Sequence, residues 1–272
     1  MLGFIEILKT LLLGVVEGIT EWLPISSTGH MILVDEFVRM DISPAFRELF
    51  LYVIQLGAIL AVVLLFWKRM WPFQTKDREK PFVDMGIIKM WLKVAFACIP
   101  GFVGFMLFDF VDDRIVVAGA LVVYGVLFIL IERWNKNRVP RIKSMDEIGF
   151  KDAFIIGLFQ MLSMIPGTSR SGSTIIGGLT VGLSRVAVTE FTFFLAVPVM
   201  LGVSFVKLLQ YGFSFSGAEL MILGVGCVSA FVTSLFVIKF LINYVRRHDF
   251  KVFGWYRIIL GIVLIAYFEL LA

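Results

Sequence analysis

Two short stretches of this chain concentrate the residue types that do chemistry. The first, EGITEWLPISSTGH from Glu17 to His30, carries two carboxylates, four hydroxyls (Thr20, Ser26, Ser27 and Thr28) and an imidazole. The second, IPGTSRSGST from Ile165 to Thr174, surrounds Arg170 with hydroxyls. Ser27 is a candidate nucleophile, and His30, three residues on, can lie on the same side of a helical turn. There it can take the serine proton or give one to a leaving phosphate. Glu17 and Glu21 stand one turn apart on one helix face, a spacing that suits a divalent cation or a group that holds and tunes His30. Adjacent carboxylates in a poorly solvated site repel, which favours a bound cation or one retained proton. Arg170 offers a planar, permanently charged fork matched to phosphate oxygens, and Ser171, Ser173 and Thr174 add donors. Each stretch turns into a helix N-terminus, through Ser26, Thr28 and Gly29 in one case and Ser169 and Gly172 in the other. Unpaired amides and the helix dipole make such starts suited to an anion. The pair reads as a phosphate cradle opposed to a set of reactive groups.

Each residue also has a plainer reading. Serines after a proline serve as N-caps, paired glutamates as a solvated helix face, a lone histidine as a hydrogen-bonding core residue. Arg170 can be a structural counter-ion to Glu17 or Glu21. What favours chemistry is their joint occurrence at two helix breaks, in a chain that is otherwise apolar. Burying such groups in hydrocarbon without partners costs several kcal/mol each, on the order of magnitude known for polar transfer.

The elements that position these residues belong to a membrane. Of the 272 residues 59% are hydrophobic and only 17% charged, with a mean hydropathy of +0.93. A soluble domain has roughly half and a quarter. The net charge of +4 comes from basic residues in loops between apolar runs, so membrane topology explains it and no nucleic-acid partner is implied. Cys98 and Cys227 lie in apolar runs as small hydrophobes; neither spacing nor setting suggests a metal site, and no disulfide is expected. Trp22, Trp67, Trp71 and Trp91 suit interfacial anchors. The start, MLGFIEILKT, has Glu6 and no basic flank, and does not read as a cleaved signal peptide.

In order, residues 2 to 22 form an amphipathic helix with Thr10, Glu17 and Glu21 on one face, ended by Pro24. Ser26 or Ser27 caps a second, short helix to about Arg39. These two make a re-entrant hairpin, a form that survives at membrane depth only inside protein or around a wet cavity. Spans follow at about 49–67, 88–108 and 115–131, separated by a loop with Lys76, Arg78, Glu79 and Lys80 and by the turn from Asp109 to Arg114. After the hydrophilic stretch Glu132 to Glu147, residues 151–165 and 173–183 form a second hairpin around Pro166. Three spans close the chain at about 187–209, 217–243 and 252–271. With the basic loops cytoplasmic, the hairpins enter from opposite faces. The expected fold is a single all-α membrane domain with six transmembrane helices and two re-entrant hairpins. It divides into inverted repeats at 1–135 and 148–272. Matching segments Gly14–Glu17 and Gly157–Gln160, and Leu56-Gly57 and Leu201-Gly202, support the repeat, with one residue of difference in the spacing to the prolines. Such repeats place their sites near the midplane, so Ser26–His30 should face Ser169–Thr174.

The motifs EGITEWLPISSTGH and PGTSRSGSTI, with IQLGAILAVVLLFWKR (Ile54 to Arg69) and EFTFFLAVP (Glu190 to Pro198), resemble the bacterial undecaprenyl-diphosphate phosphatases, the bacitracin-resistance family. The resemblance spans nearly the whole chain. It implies a plasma-membrane enzyme that removes the terminal phosphate of a C55 polyprenyl diphosphate and returns the lipid carrier to peptidoglycan synthesis. It also implies a divalent cation, Mg2+ or Ca2+, held by Glu17 and Glu21, and a site open to the extracytoplasmic side. Glu17, Glu21, Ser26, Ser27, His30 and Arg170 fall on the family's essential positions. The expected mechanism is attack by Ser27 assisted by His30, on a phosphate held by Arg170. Attack by His30 or by water stays open, as does a homodimer. A lipid flippase without chemistry is the competing class, and the Ser27/His30 pair discriminates against it. A purely structural or bacitracin-sequestering protein leaves the polar groups at the two breaks unexplained.

Overall fold

The computed structural model describes residues 3–73, 82–107 and 114–270. The loop with Lys76, Arg78, Glu79 and Lys80 and the turn from Asp109 to Asp113 lie outside them. Six of the helices among the described residues are long and apolar enough to cross a membrane. They are α3 (Pro44–Met70), α4 (Met85–Leu107), α5 (Arg114–Asn135), α8 (Arg185–Tyr211), α9 (Gly217–Val245) and α10 (Lys251–Leu270). The chain is an all-α, multi-pass membrane protein. Four shorter helices come in two consecutive pairs, α1 (Phe4–Thr20) with α2 (Ser27–Phe37) and α6 (Phe150–Met161) with α7 (Arg170–Thr180). At 1.5 Å per residue the longest of these, α1, reaches about 25 Å, short of a hydrocarbon core of about 30 Å.

Local chemistry sets the boundaries. Ser43, Ser184 and Ser216 cap α3, α8 and α9 by accepting from the amides of Phe46, Ala187 and Glu219. Lys68 and Arg69 end α3, where their charge meets the carbonyl end of the helix. The expected face of α1 is turned inward, with Thr10, Glu17 and Glu21 all buried.

Helix packing runs α1 on α9, α4 on α6, α5 on α10, and α3 on both α8 and α9. Between apolar helices in lipid, close approach needs small residues. Gly14 and Gly18, one turn apart, supply it for α1. A Cβ at either would lie 2.7 Å from a main-chain carbonyl of α9, that of Gly226 or of Ala230. Gly125 and Gly254 do the same between α5 and α10, where a Cβ would come within 2.7 Å and 2.8 Å of the other glycine's carbonyl.

One expectation fails. Trp22 is not an interfacial anchor but is fully buried, edge-on to Phe193 with ring centroids 5.3 Å apart. It follows Glu21 in the turn after α1, and that turn is enclosed by α8. Trp67 and Trp71 do remain about half exposed and stack on each other, whereas Trp91 donates its indole N–H to the Met70 carbonyl. Cys98 and Cys227 are free thiols.

Candidate active site

The turns that enter α2 and α7 are built alike. Ser26 (φ 72°) and Ser169 (φ 70°) are the two non-glycine residues at positive φ among the described residues. Each caps its helix, Ser26 Oγ accepting from the Gly29 amide at 3.3 Å and Ser169 Oγ from the Gly172 amide at 3.2 Å. A side chain held at positive φ costs about 1–2 kcal/mol, and such strain gathers at functional sites. The two caps are 143 positions apart, as are Gly14 and Gly157, Glu17 and Gln160, and Gly29 and Gly172. The one-residue difference at Pro24 and Pro166 is therefore local to the turn.

The two tips meet at Glu21. Ser27 Oγ donates to its Oε2 at 2.9 Å, and Arg170 Nη2 from the other tip donates to its Oε1 at 2.9 Å. Arg170 Nη1 reaches the Thr192 carbonyl of α8 at 3.2 Å, and Ser171 Oγ donates to the Glu21 carbonyl at 3.3 Å. The expected juxtaposition of Ser26–His30 with Ser169–Thr174 is thus present. So is the counter-ion pairing of Arg170, with Glu21 as its partner.

His30 departs from the expected dyad with Ser27. Its Nδ1 lies 2.7 Å from the Ser26 carbonyl, one turn back, and its Nε2 lies 2.7 Å from the hydroxyl of Tyr256 on α10. The cap carbonyl draws the ring towards its own helix start, and Ser27 finds its acceptor in Glu21 instead. Ser27 is thus hydrogen-bonded to Glu21, where the sequence reading pairs it with His30.

The remaining predicted residues divide by exposure. Thr28 is exposed, while Gly29 and Gly172 are buried at the helix starts. Ser169 Oγ shares a hydrogen bond with Ser171 Oγ at 3.1 Å. Thr174 commits its hydroxyl to packing, bonding the carbonyls of Arg170 and Ser171 and Thr192 Oγ1. Ser173 is fully buried and its hydroxyl has no partner.

Two residues at the centre of this arrangement, Tyr256 and Arg257, escape the sequence reading. Arg257 is 0% exposed and donates to three main-chain carbonyls, those of Pro24 (3.2 Å), Gly167 (2.9 Å) and Thr168 (2.6 Å). One guanidinium therefore clamps both turns from below. A Cβ on Gly172 would come within 2.6 Å of Arg257 Nη1, so only glycine leaves room there. The signal that could have found Arg257 is an arginine in the interior of an apolar span, which must face protein and find partners.

Five buried side-chain atoms among the described residues have no hydrogen-bond partner: Glu17 Oε1, Trp22 Nε1, Gln160 Oε1, Ser173 Oγ and Arg257 Nε. All five belong to the two hairpins or to the arginine that joins them. Buried polar atoms are ordinarily paired, so this concentration sets the region apart from the rest of the interior. For a divalent cation the donor set fits. No group of three or more His, Cys, Asp or Glu forms among the described residues. Glu17, however, has a free buried oxygen beside Glu21, and Mg2+ is commonly held by one or two carboxylates, with substrate phosphate oxygens and water completing the set.

Comparison with known proteins follows from this geometry. The family model for bacitracin resistance protein BacA matches residues 10–263. An undecaprenyl-diphosphatase of Enterococcus faecalis is 57% identical over 269 residues, covering 97% of this chain and 98% of the relative. Proteins of the same name from Desulfitobacterium hafniense and Lachnoclostridium phytofermentans are 55% and 51% identical, each over at least 98% of both chains.

Proposed function

This chain belongs to the BacA family of bacitracin resistance proteins, and from that membership we propose that it is a membrane phosphatase acting on undecaprenyl diphosphate. It releases phosphate and returns undecaprenyl phosphate for cell-wall synthesis. The observation that carries the reading is Glu21, which links a nucleophile from one hairpin to an arginine from the other. A carrier needs the arginine and the donors but has no use for a serine poised on a carboxylate, and the relatives' names are those of phosphatases.

The diphosphate lies between the N-termini of α2 and α7, whose first amides stand outside the helix ladder. Arg170 turns its fork from Glu21 to the phosphate oxygens and stabilises the charge that spreads over the transferring group. Ser27 Oγ attacks the distal phosphorus while Glu21 accepts its proton. The bond from that phosphorus to the bridging oxygen breaks, and undecaprenyl phosphate leaves. Water then cleaves the phosphoserine, restoring Ser27 and releasing inorganic phosphate. His30, within the same turn, is the proton donor for the leaving phosphate. Glu17, with Glu21, would hold a divalent cation, which when bound would neutralise diphosphate charge. The C55 chain lies among the exposed apolar side chains of the spans.

The reading extends to topology. If α1 to α5 repeat as α6 to α10, the α1–α9 and α6–α4 contacts are one contact seen twice, and α3–α8 and α5–α10 each pair a helix with its counterpart. That pattern and the constant spacing of 143 support an inverted repeat with two re-entrant hairpins. The family resemblance implies the plasma membrane and a site open to the extracytoplasmic side, and the Lys and Arg count in the loops supports that orientation.

The test is phosphate release from a prenyl diphosphate by the detergent-purified protein, with and without EDTA. We expect release that EDTA abolishes and that falls by at least about a thousandfold in Ser27→Ala and Arg170→Ala, as for removal of groups acting on the transferring phosphoryl. Release from well-folded protein that survives all three would overturn the proposal.

A further inference from the structure

We propose that Tyr256 is a positioning residue that fixes the tautomer and orientation of His30 from the last helix. Its value to catalysis rests on the phosphatase reading above.

A carbonyl oxygen only accepts, so His30 Nδ1, 2.7 Å from the Ser26 carbonyl, carries the hydrogen. Nε2 of the neutral ring is then an acceptor, and its partner among the described residues is the Tyr256 hydroxyl at 2.7 Å. The two ring planes are parallel to within 1°, with centroids 5.6 Å apart. Which nitrogen of a histidine is protonated is set by the bond the other makes, and here both bonds agree.

A phenol suits this place because it both donates and accepts. Towards neutral His30 it donates O–H to Nε2; towards the imidazolium it accepts from Nε2–H. The ring can gain and lose a proton without turning.

The hydroxyl is itself held in place. Its neighbour Arg257 is pinned to three carbonyls of the two turns, and Gly254 and Gly261 set α10 directly on α5. Tyr256 therefore reports the position of a rigid helix to a histidine on a lightly packed one. Within α2 Met31 is the only hydrophobic side chain among the described residues that is buried.

The experiment uses the full-length protein labelled with 15N-histidine. His30 and His248 are the only histidines, and His248→Gln leaves a single pair of nitrogen signals. In that background Tyr256→Phe keeps the ring, which is 44% exposed, and removes only the hydroxyl. We expect His30 to show separate signals of an Nδ1–H tautomer in the parent, and signals that converge or broaden by tautomer exchange in Tyr256→Phe. We also expect kcat to fall about ten- to a hundredfold with KM within twofold, as for a misplaced catalytic group. An unchanged tautomer in Tyr256→Phe would overturn the proposal whatever the rate does. So would a shifted tautomer with an unchanged kcat. The nitrogen shifts are read without substrate, so a failed phosphatase assay leaves that arm standing.

Discussion

Glu21 accepts from two donors of different kinds, and the difference decides what each is for. The Ser27 hydroxyl uses one carboxylate oxygen and the Arg170 guanidinium the other, so the carboxylate cannot serve one without feeling the second. When phosphate draws the guanidinium away, the carboxylate keeps the serine hydroxyl as its donor. Ser26 shows how the local backbone serves this. Its φ of 72° turns the chain so that α2 starts directly after the Glu21 turn, and its Oγ caps Gly29. Ser26→Ala keeps the strain and loses the cap, so it should lower unfolding stability by about 1 kcal/mol. Ser26→Gly loses only a few tenths in capping and relieves the strain, so it should be stable as the parent or more so. Thermal unfolding of the purified variants decides the order; a glycine variant less stable than the alanine one would refute this account. The residue types of this site were legible because acids, hydroxyls and an arginine are conspicuous in an apolar chain. Their partners were not. Tyr256 lies 226 residues from His30, and no local pattern links a tyrosine on a late helix to a histidine on an early one.

At the scale of elements, the hairpins were legible from Pro24, Pro166 and the serines that follow, because breakers and caps act locally. The packing of the hairpins was not, since what Gly14 and Gly18 touch lies more than two hundred residues away on α9. That packing holds the two carboxylates: Glu17 sits between the two glycines on one helix and Glu21 directly follows its end. Gly18→Val puts side-chain atoms where the Ala230 carbonyl and Thr233 already lie, at 2.7 Å from the first added carbon. We expect a loss of about 1–3 kcal/mol by overpacking and a fall in activity with it. Gly224 on α9 has nothing within 4 Å of an added Cβ, and Gly224→Ala should be neutral or stabilising by up to about 1 kcal/mol. Denaturation of both variants side by side checks the pair; equal effects would mean that the close α1–α9 approach does not set stability.

At the scale of the molecule, the proposed repeat brings different residue types from its two halves to one place. With the serine caps aligned, Glu17 corresponds to Gln160, Ser27 to Arg170 and His30 to Ser173. One half supplies acid, nucleophile and imidazole, and the other supplies charge and donors. A symmetric site would oppose like charges or repeat a nucleophile where a phosphate clamp is needed. Arg257, bound to the turns of both halves, joins them at the point where the difference matters. Trp22 shows why a sequence reading reaches this scale only in part: a tryptophan beside a polar turn suits an interface until a second hairpin and α8 close over it. The central claim is that a serine of the first half attacks a phosphate held by the second. The most direct test is to mix the protein with a prenyl diphosphate labelled in its distal phosphate, quench in acid during turnover, and map the label by peptide mass spectrometry. The account predicts phosphate on Ser27 in the parent, and none there in Arg170→Gln although Ser27 is intact. Label on His30, or full turnover with no labelled residue, would contradict it.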